Sequence, residues 1–78
     1  MKLEEALMWI ADLFEESVED IHPETLKEDI PAWDSLGVLT LMAELDENFG
    51  ILLTEEEMQK LQKINDIFEI LRRDGRLD

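Results

Sequence analysis

Apolar side chains recur every three or four residues in four separate stretches of this 78-residue chain, and no stretch alternates like a strand. Both prolines fall in the gap between the first two stretches. The pattern predicts an all-α four-helix bundle, with three main helices, a short third helix and a long loop between helices 1 and 2. We expect one domain over residues 1–78, with residues 74–78 as a frayed tail.

Capping and helix-breaking residues mark the ends of the predicted elements. The second helix is unusually apolar, so we expect it to leave only a narrow strip in solvent. The residues expected to face the core are Leu39, Met42, Leu45 and Phe49, with Val38 and Leu41 broadening the buried surface. The first predicted helix covers about 3–17, and a connection over 18–33 follows, in which Leu26, Ile30 and Trp33 pack on the core. The second helix runs from Asp34-Ser35 to Phe49 and is stopped by Gly50. A short third helix begins at the capping box of Thr54, and a fourth runs from Ile64 to Leu71 and is closed by Arg72 and Arg73.

The charge balance limits the partners that this chain can bind. Twenty-one acidic residues against seven basic ones give a net charge of −14. This charge repels nucleic acid and anionic membrane surfaces and favours proteins with basic patches. With no cysteine, no signal-peptide layout and no long apolar run, we expect a soluble, cytoplasmic protein without disulfides or a cysteine-based metal site.

Ser35 is the candidate functional residue. Its hydroxyl lies where the long connection meets the N-terminus of the most apolar helix, and unpaired N–H groups at such a terminus favour a phosphate. The alternative from position alone is that Ser35 serves only as an N-cap.

A longer pattern around Ser35 resembles the signature of acyl and peptidyl carrier proteins. The matching residues are Trp33-Asp34-Ser35-Leu36, Leu39, Leu41-Met42, Leu45 and Glu47-Asn48-Phe49-Gly50-Ile51. The resemblance implies that Ser35 accepts 4′-phosphopantetheine from coenzyme A through a separate magnesium-dependent phosphopantetheinyl transferase. It implies a non-catalytic, monomeric carrier of an acyl or aminoacyl thioester for fatty-acid-like, polyketide or specialised biosynthesis.

The resemblance also assigns roles to other residues, each with a simpler alternative. The acidic residues implied to bind enzymes with basic docking surfaces have the alternative of being simply solvent-exposed charges. The apolar residues implied to line a cargo pocket have the alternative of simply packing in the core. The cofactor site is Ser35 with Asp34 and Leu36; the partner site is Asp34, Glu44, Asp46 and Glu47; the cargo pocket is Leu36, Leu39, Met42, Leu61 and Ile64. No catalytic residue and no metal ligand is implied.

Three positions depart from the family pattern. Gly37 and Thr40 stand where fatty-acid carriers are frequently acidic, and Ala32 stands where glycine is common. The departures at Gly37 and Thr40 argue against a housekeeping fatty-acid carrier. The Trp-Asp-Ser-Leu form at residues 33–36 is similar to that of stand-alone carriers of specialised pathways, so we expect a dedicated acyl or aminoacyl carrier. Inside a helix, Gly37 would cost about 1 kcal/mol relative to alanine.

Rival functions come from other classes of protein. An acidic helical interaction module without a cofactor explains the charge equally well. A calcium sensor would need a twelve-residue metal-binding loop, and this chain has none. A small hydrolase would need His22, the only histidine, to approach Ser35. For Trp9 and Trp33, burial against the bundle is a more common use than stacking on a cofactor.

Overall fold

The computed structural model describes all 78 residues, Met1 to Asp78, and contains helices and no strand. The predicted all-α fold, the short third helix and the long loop are confirmed. No helix has both the length and the apolar character needed to cross a bilayer. The helices are α1 Leu3–Leu13, α2 Ser35–Phe49, α3 Glu55–Gln59 and α4 Ile64–Arg73, and the loop between α1 and α2 contains 3-10 turns at Val18–Asp20 and Lys27–Asp29.

One hydrophobic core of 19 buried residues draws on all four helices and on the long connection. From the connection, Ile30 and Trp33 are buried as predicted, and the Trp33 ring stacks on Phe14 with centroids 5.1 Å apart. The prediction for Leu26 was wrong, because its side chain is 40% exposed. Its backbone instead forms an isolated antiparallel bridge to Lys63, which fastens the connection to the start of α4.

The first helix ends four residues earlier than predicted. The Glu16 N–H donates to the Ala11 carbonyl and the Glu15 N–H to the Asp12 carbonyl, which is the hydrogen-bond pattern of a Schellman motif. Glu15 occupies the left-handed position of this motif with φ 57°. The apolar spacing continues past this point in the sequence. The end of the helix was missed because the left-handed position is occupied by glutamate and not by the glycine that usually marks it.

The second helix faces the core through the predicted residues with the exception of Leu39, and Met42 and Phe49 are partly buried against the core. Leu45 is buried, and Val38 and Leu41 form the buried face with it, whereas Leu39 is 55% exposed. The expectation that Leu39 faces the core was therefore wrong. The solvent-facing surface is also broad rather than narrow, and it comprises Ser35, Leu36, Leu39, Thr40, Ala43, Asp46, Glu47 and Asn48.

The C-terminal tail packs against the bundle, in contrast to the expected frayed segment. Leu77 is buried, and the Asp78 N–H donates to the Met1 carbonyl. The Arg76 guanidinium donates to the Phe49 carbonyl at 3.0 Å, at the C-terminal end of α2. A cation is favoured there by the negative end of the helix dipole.

Candidate functional site at the start of helix α2

The hydroxyl of Ser35 is free for chemistry because its neighbour caps the helix. Asp34 is the N-cap residue, and its carboxylate Oδ1 accepts the Gly37 N–H at 2.9 Å. Ser35 is the first helical residue; it is exposed, and its Oγ makes no hydrogen bond within the protein. The alternative that Ser35 is only an N-cap was therefore wrong.

The backbone around Ser35 offers donors for an anion. The N–H groups of Ser35 and Leu36 lie in the first turn and have no acceptor in the protein. The positive end of the helix dipole points the same way. A phosphate carried on Ser35 Oγ would find donors there, so the residues present fit a phosphodiester-linked group.

A close backbone approach positions this turn. A Cβ atom built on Gly37 would lie 1.9 Å from the carbonyl oxygen of Ala32, so only glycine lets the connection pass this closely over α2. Ala32 therefore packs directly against α2, two residues before Asp34 and three before Ser35. The glycine that departed from the family pattern is therefore required by the path of this chain.

The side chains predicted to line a cargo pocket do not share one cavity. Leu36 is 72% exposed beside a depression of about 370 Å³ that Asp34 and Thr40 also line. Leu39 borders a different depression of about 240 Å³, and Leu61 a third. Met42 is half-buried against the core and Ile64 is fully buried within it.

The depression nearest to Ser35 lies between α2 and α3. Its lining is Ser35, Val38, Leu39, Glu55 and Gln59. Sequence reasoning missed Glu55 and Gln59 as neighbours of Ser35. The capping box at Thr54 announces where α3 begins, but no sequence signal says which part of α2 the short helix packs beside.

The four acidic residues predicted to bind partners divide into two groups. Asp34, Asp46 and Glu47 are exposed. Glu44 is partly buried, and its Oε1 accepts the Trp9 indole N–H at 3.2 Å and the Asn48 amide at 3.1 Å. Glu44 thus ties α1 to α2, and its charge is less available to a partner.

The largest of the four surface cavities, about 450 Å³, lies beside Trp33, on the long connection. Trp33 is buried as expected, but its indole Nε1–H has no acceptor in the protein. An unsatisfied buried donor costs about 1–3 kcal/mol. Lys27 also lines the cavity, with its ammonium 5.9 Å from the centroid of the Trp33 ring.

The remaining polar side chains form no second site. His22 is exposed, its backbone N–H donates to Thr25 Oγ1, and its imidazole pairs with no carboxylate. No group of three or more His, Cys, Asp or Glu side chains is placed to hold a metal ion. Glu57 in α3 has a pKa lowered from 4.5, because it accepts hydrogen bonds from the backbone N–H and the hydroxyl of Thr54.

Comparison with known proteins identifies the family. No protein-family model and no solved structure matches the chain. It is 32% identical over 74 residues to an acyl carrier protein of Syntrophus aciditrophicus (strain SB), a match that covers 92% of this chain and 91% of that protein. It is 33% identical over 70 residues to an acyl carrier protein of Thermosynechococcus vestitus, covering 88% and 85%. The chain has a carrier role and belongs to the acyl carrier protein family.

Proposed function

We propose that Ser35 carries 4′-phosphopantetheine and that an acyl or aminoacyl group travels as a thioester on this arm. The observation that carries the proposal is the exposed, unbonded Ser35 hydroxyl at the start of a helix that Asp34 already caps. The prosthetic group supplies the thiol that a chain without cysteine lacks. The fold supplies the placement of the attachment oxygen.

The residues of this chain hold and present the group rather than react with the cargo. The N–H groups of Ser35 and Leu36, which have no acceptor in the protein, would donate to the phosphate, and the dipole of α2 would stabilise its charge. No side chain of the protein is hydrogen-bonded to the Ser35 hydroxyl, and in this proposal the phosphopantetheinyl transferase takes its proton. The carrier is thus a substrate of that enzyme and is not itself an enzyme.

The exposed face of α2 is the surface for partner enzymes. Asp34, Asp46 and Glu47 offer carboxylates to a basic docking surface, and complementary charge of this kind raises association rates. Leu36 and Leu39 lie exposed on the same helix. Their exposure favours contact with a partner over a resting place for cargo. The partners are enzymes that load and process the acyl group in a specialised or fatty-acid-like pathway. The carrier binds them as a cytoplasmic monomer.

A cargo pocket around Met42, Leu61 and Ile64 requires movement. Leu61 and Ile64 are buried, and the depressions around Ser35 do not reach them. The five-residue helix α3 carries one buried side chain, Met58, so it is the α-helix with the least packing to lose. Its displacement would open the space between α2 and the start of α4 to an acyl chain.

An acidic interaction module without a cofactor is the alternative, and the net charge of −14 favours it equally. One experiment separates the two functions. The protein is incubated with coenzyme A, magnesium and a broad-specificity phosphopantetheinyl transferase, and its intact mass is recorded. We expect a gain of one phosphopantetheine unit in the wild type and none in Ser35→Ala.

The chain offers a matched control, because Ser17 is its only other serine and is also exposed. Ser17→Ala should be modified like the wild type. If the wild type gains no mass while the transferase modifies another carrier, the carrier proposal fails and the interaction module takes its place. A gain that persists in Ser35→Ala would show that the attachment residue is wrong.

A further inference from the structure

The cavity beside Trp33 lies next to the attachment site. Trp33 precedes Ser35 by two residues, so their Cα atoms are at most about 7.6 Å apart. The lining combines apolar side chains with four that can form hydrogen bonds, and it consists of Leu26, Lys27, Glu28, Ile30, Pro31, Trp33 and Gln62. A group carried on Ser35 can fold back over so short a distance.

Two features of the lining call for a hydrogen-bond acceptor. The Trp33 side chain is 4% exposed and its Nε1–H is buried without a partner. The Lys27 ammonium forms no ion pair, although the chain carries three times as many acidic as basic residues. Trp33 and Lys27 both line the cavity, and an unsatisfied donor and an unpaired cation each favour an oxygen that carries negative charge.

The other polar residues of the cavity are compatible with this occupant. Gln62 uses its amide nitrogen to donate to the Gln59 carbonyl. Glu28 is exposed and is the one group in the lining that repels an anion. Lys27 has the longest flexible side chain in the lining, so it is the group best able to shift and let an oxygen approach the indole.

From these contacts we infer that the Trp33 cavity binds the distal carboxylate of an acyl cargo, and that this carrier serves acyl groups bearing a second carboxylate. The inference rests on the proposed attachment to Ser35. The apolar wall of Ile30 and Pro31 takes the carbon chain, while Lys27 and the Trp33 indole N–H take the carboxylate. The same cavity offers an alkyl-ended cargo no partner for either donor.

The test compares two cargoes of equal length. The protein is loaded at Ser35 from succinyl-coenzyme A or from butyryl-coenzyme A, and intact mass verifies each product. The indole N–H resonances of the 15N-labelled protein are then recorded. Trp9 is an internal control, because its indole N–H is already bonded to Glu44. We expect the succinyl group, and not the butyryl group, to move the Trp33 resonance downfield while Trp9 stays in place.

A variant checks the contribution of charge. Lys27→Met keeps an unbranched side chain of nearly the same length and removes the cation, and it should reduce the succinyl-dependent shift of Trp33 at unchanged folding. Equal shifts with both cargoes, or no Trp33 shift in fully succinylated protein, would overturn this inference and leave the carrier function intact. Failure to load either cargo would overturn the carrier function and the inference with it.

Discussion

The carbonyl oxygen of Ala32 lies 1.9 Å from the place where a Cβ of residue 37 would stand. Gly37 is buried at this contact, and its N–H is bonded to Asp34. The neighbour is backbone, so it cannot turn aside as a side chain would. The requirement for glycine at this position is therefore steric.

Gly37→Ala should destabilise the protein by about 1–3 kcal/mol, the usual cost of overpacking, even though alanine is the better helix former. Thr40→Ala on the same helix is the matched control, because Thr40 is exposed and alanine there gains helix propensity and loses only the exposed hydrogen bond from the Thr40 hydroxyl to the Leu36 carbonyl. It should be neutral or stabilising by about 0.5 kcal/mol. Urea unfolding measures both, and a Gly37→Ala protein more stable than the wild type would contradict the close approach.

Glu15→Gly should stabilise the protein by about 1 kcal/mol. Glu15 has φ 57°, a conformation that costs a residue with a Cβ about 1–2 kcal/mol and glycine little. The substitution also removes a negative charge from the C-terminal end of α1, where the helix dipole disfavours it. Thermal unfolding of Glu15→Gly is compared with that of Glu16→Gly, because Glu16 has no positive φ. Equal changes in Tm in the two variants would contradict a contribution from the left-handed conformation of Glu15.

The capping box of α3 should loosen in acid. Because the folded pKa of Glu57 lies below its unfolded value of about 4.5, its stabilisation is complete above that value and is lost as the pH falls through the folded pKa. The Thr54 and Glu57 amide resonances should shift together over this range. Glu57→Gln keeps a side chain that can cap and should remove this step, and a step that survives in the variant would assign it to another carboxylate.

Reversing a charge on the exposed face of α2 should weaken recognition by the transferase. Glu47→Lys should raise the KM for the carrier by about two- to five-fold at low salt, and less at high salt, as expected for a charge at the rim of an interface. Glu4→Lys makes the same change in net charge on exposed α1. If Glu4→Lys has an equal effect, the overall field and not the α2 face guides the encounter.

The sequence by itself determined the helices and singled out Ser35 as the residue for the proposed attachment. The spacing of Leu45, Ile64 and Phe68 with their neighbours encodes burial on one side of a helix, and Thr54 with Glu57 encodes a helix start. The motif around Ser35 singled out that serine, and two acyl carrier proteins at 32–33% identity agree with the family it indicated. These signals are local, so they can be read residue by residue.

Only the tertiary structure decided how those helices face one another. It turned Leu39 outward, ended α1 at Leu13, tied Glu44 to Trp9 and left the Trp33 indole without a partner. Each outcome depends on residues far apart in the chain or on a backbone conformation that its residue type does not favour. Apolar periodicity indicates which residues can be buried. Which of them are buried depends on packing against helices that are distant in the sequence, and a local pattern carries no information about those contacts.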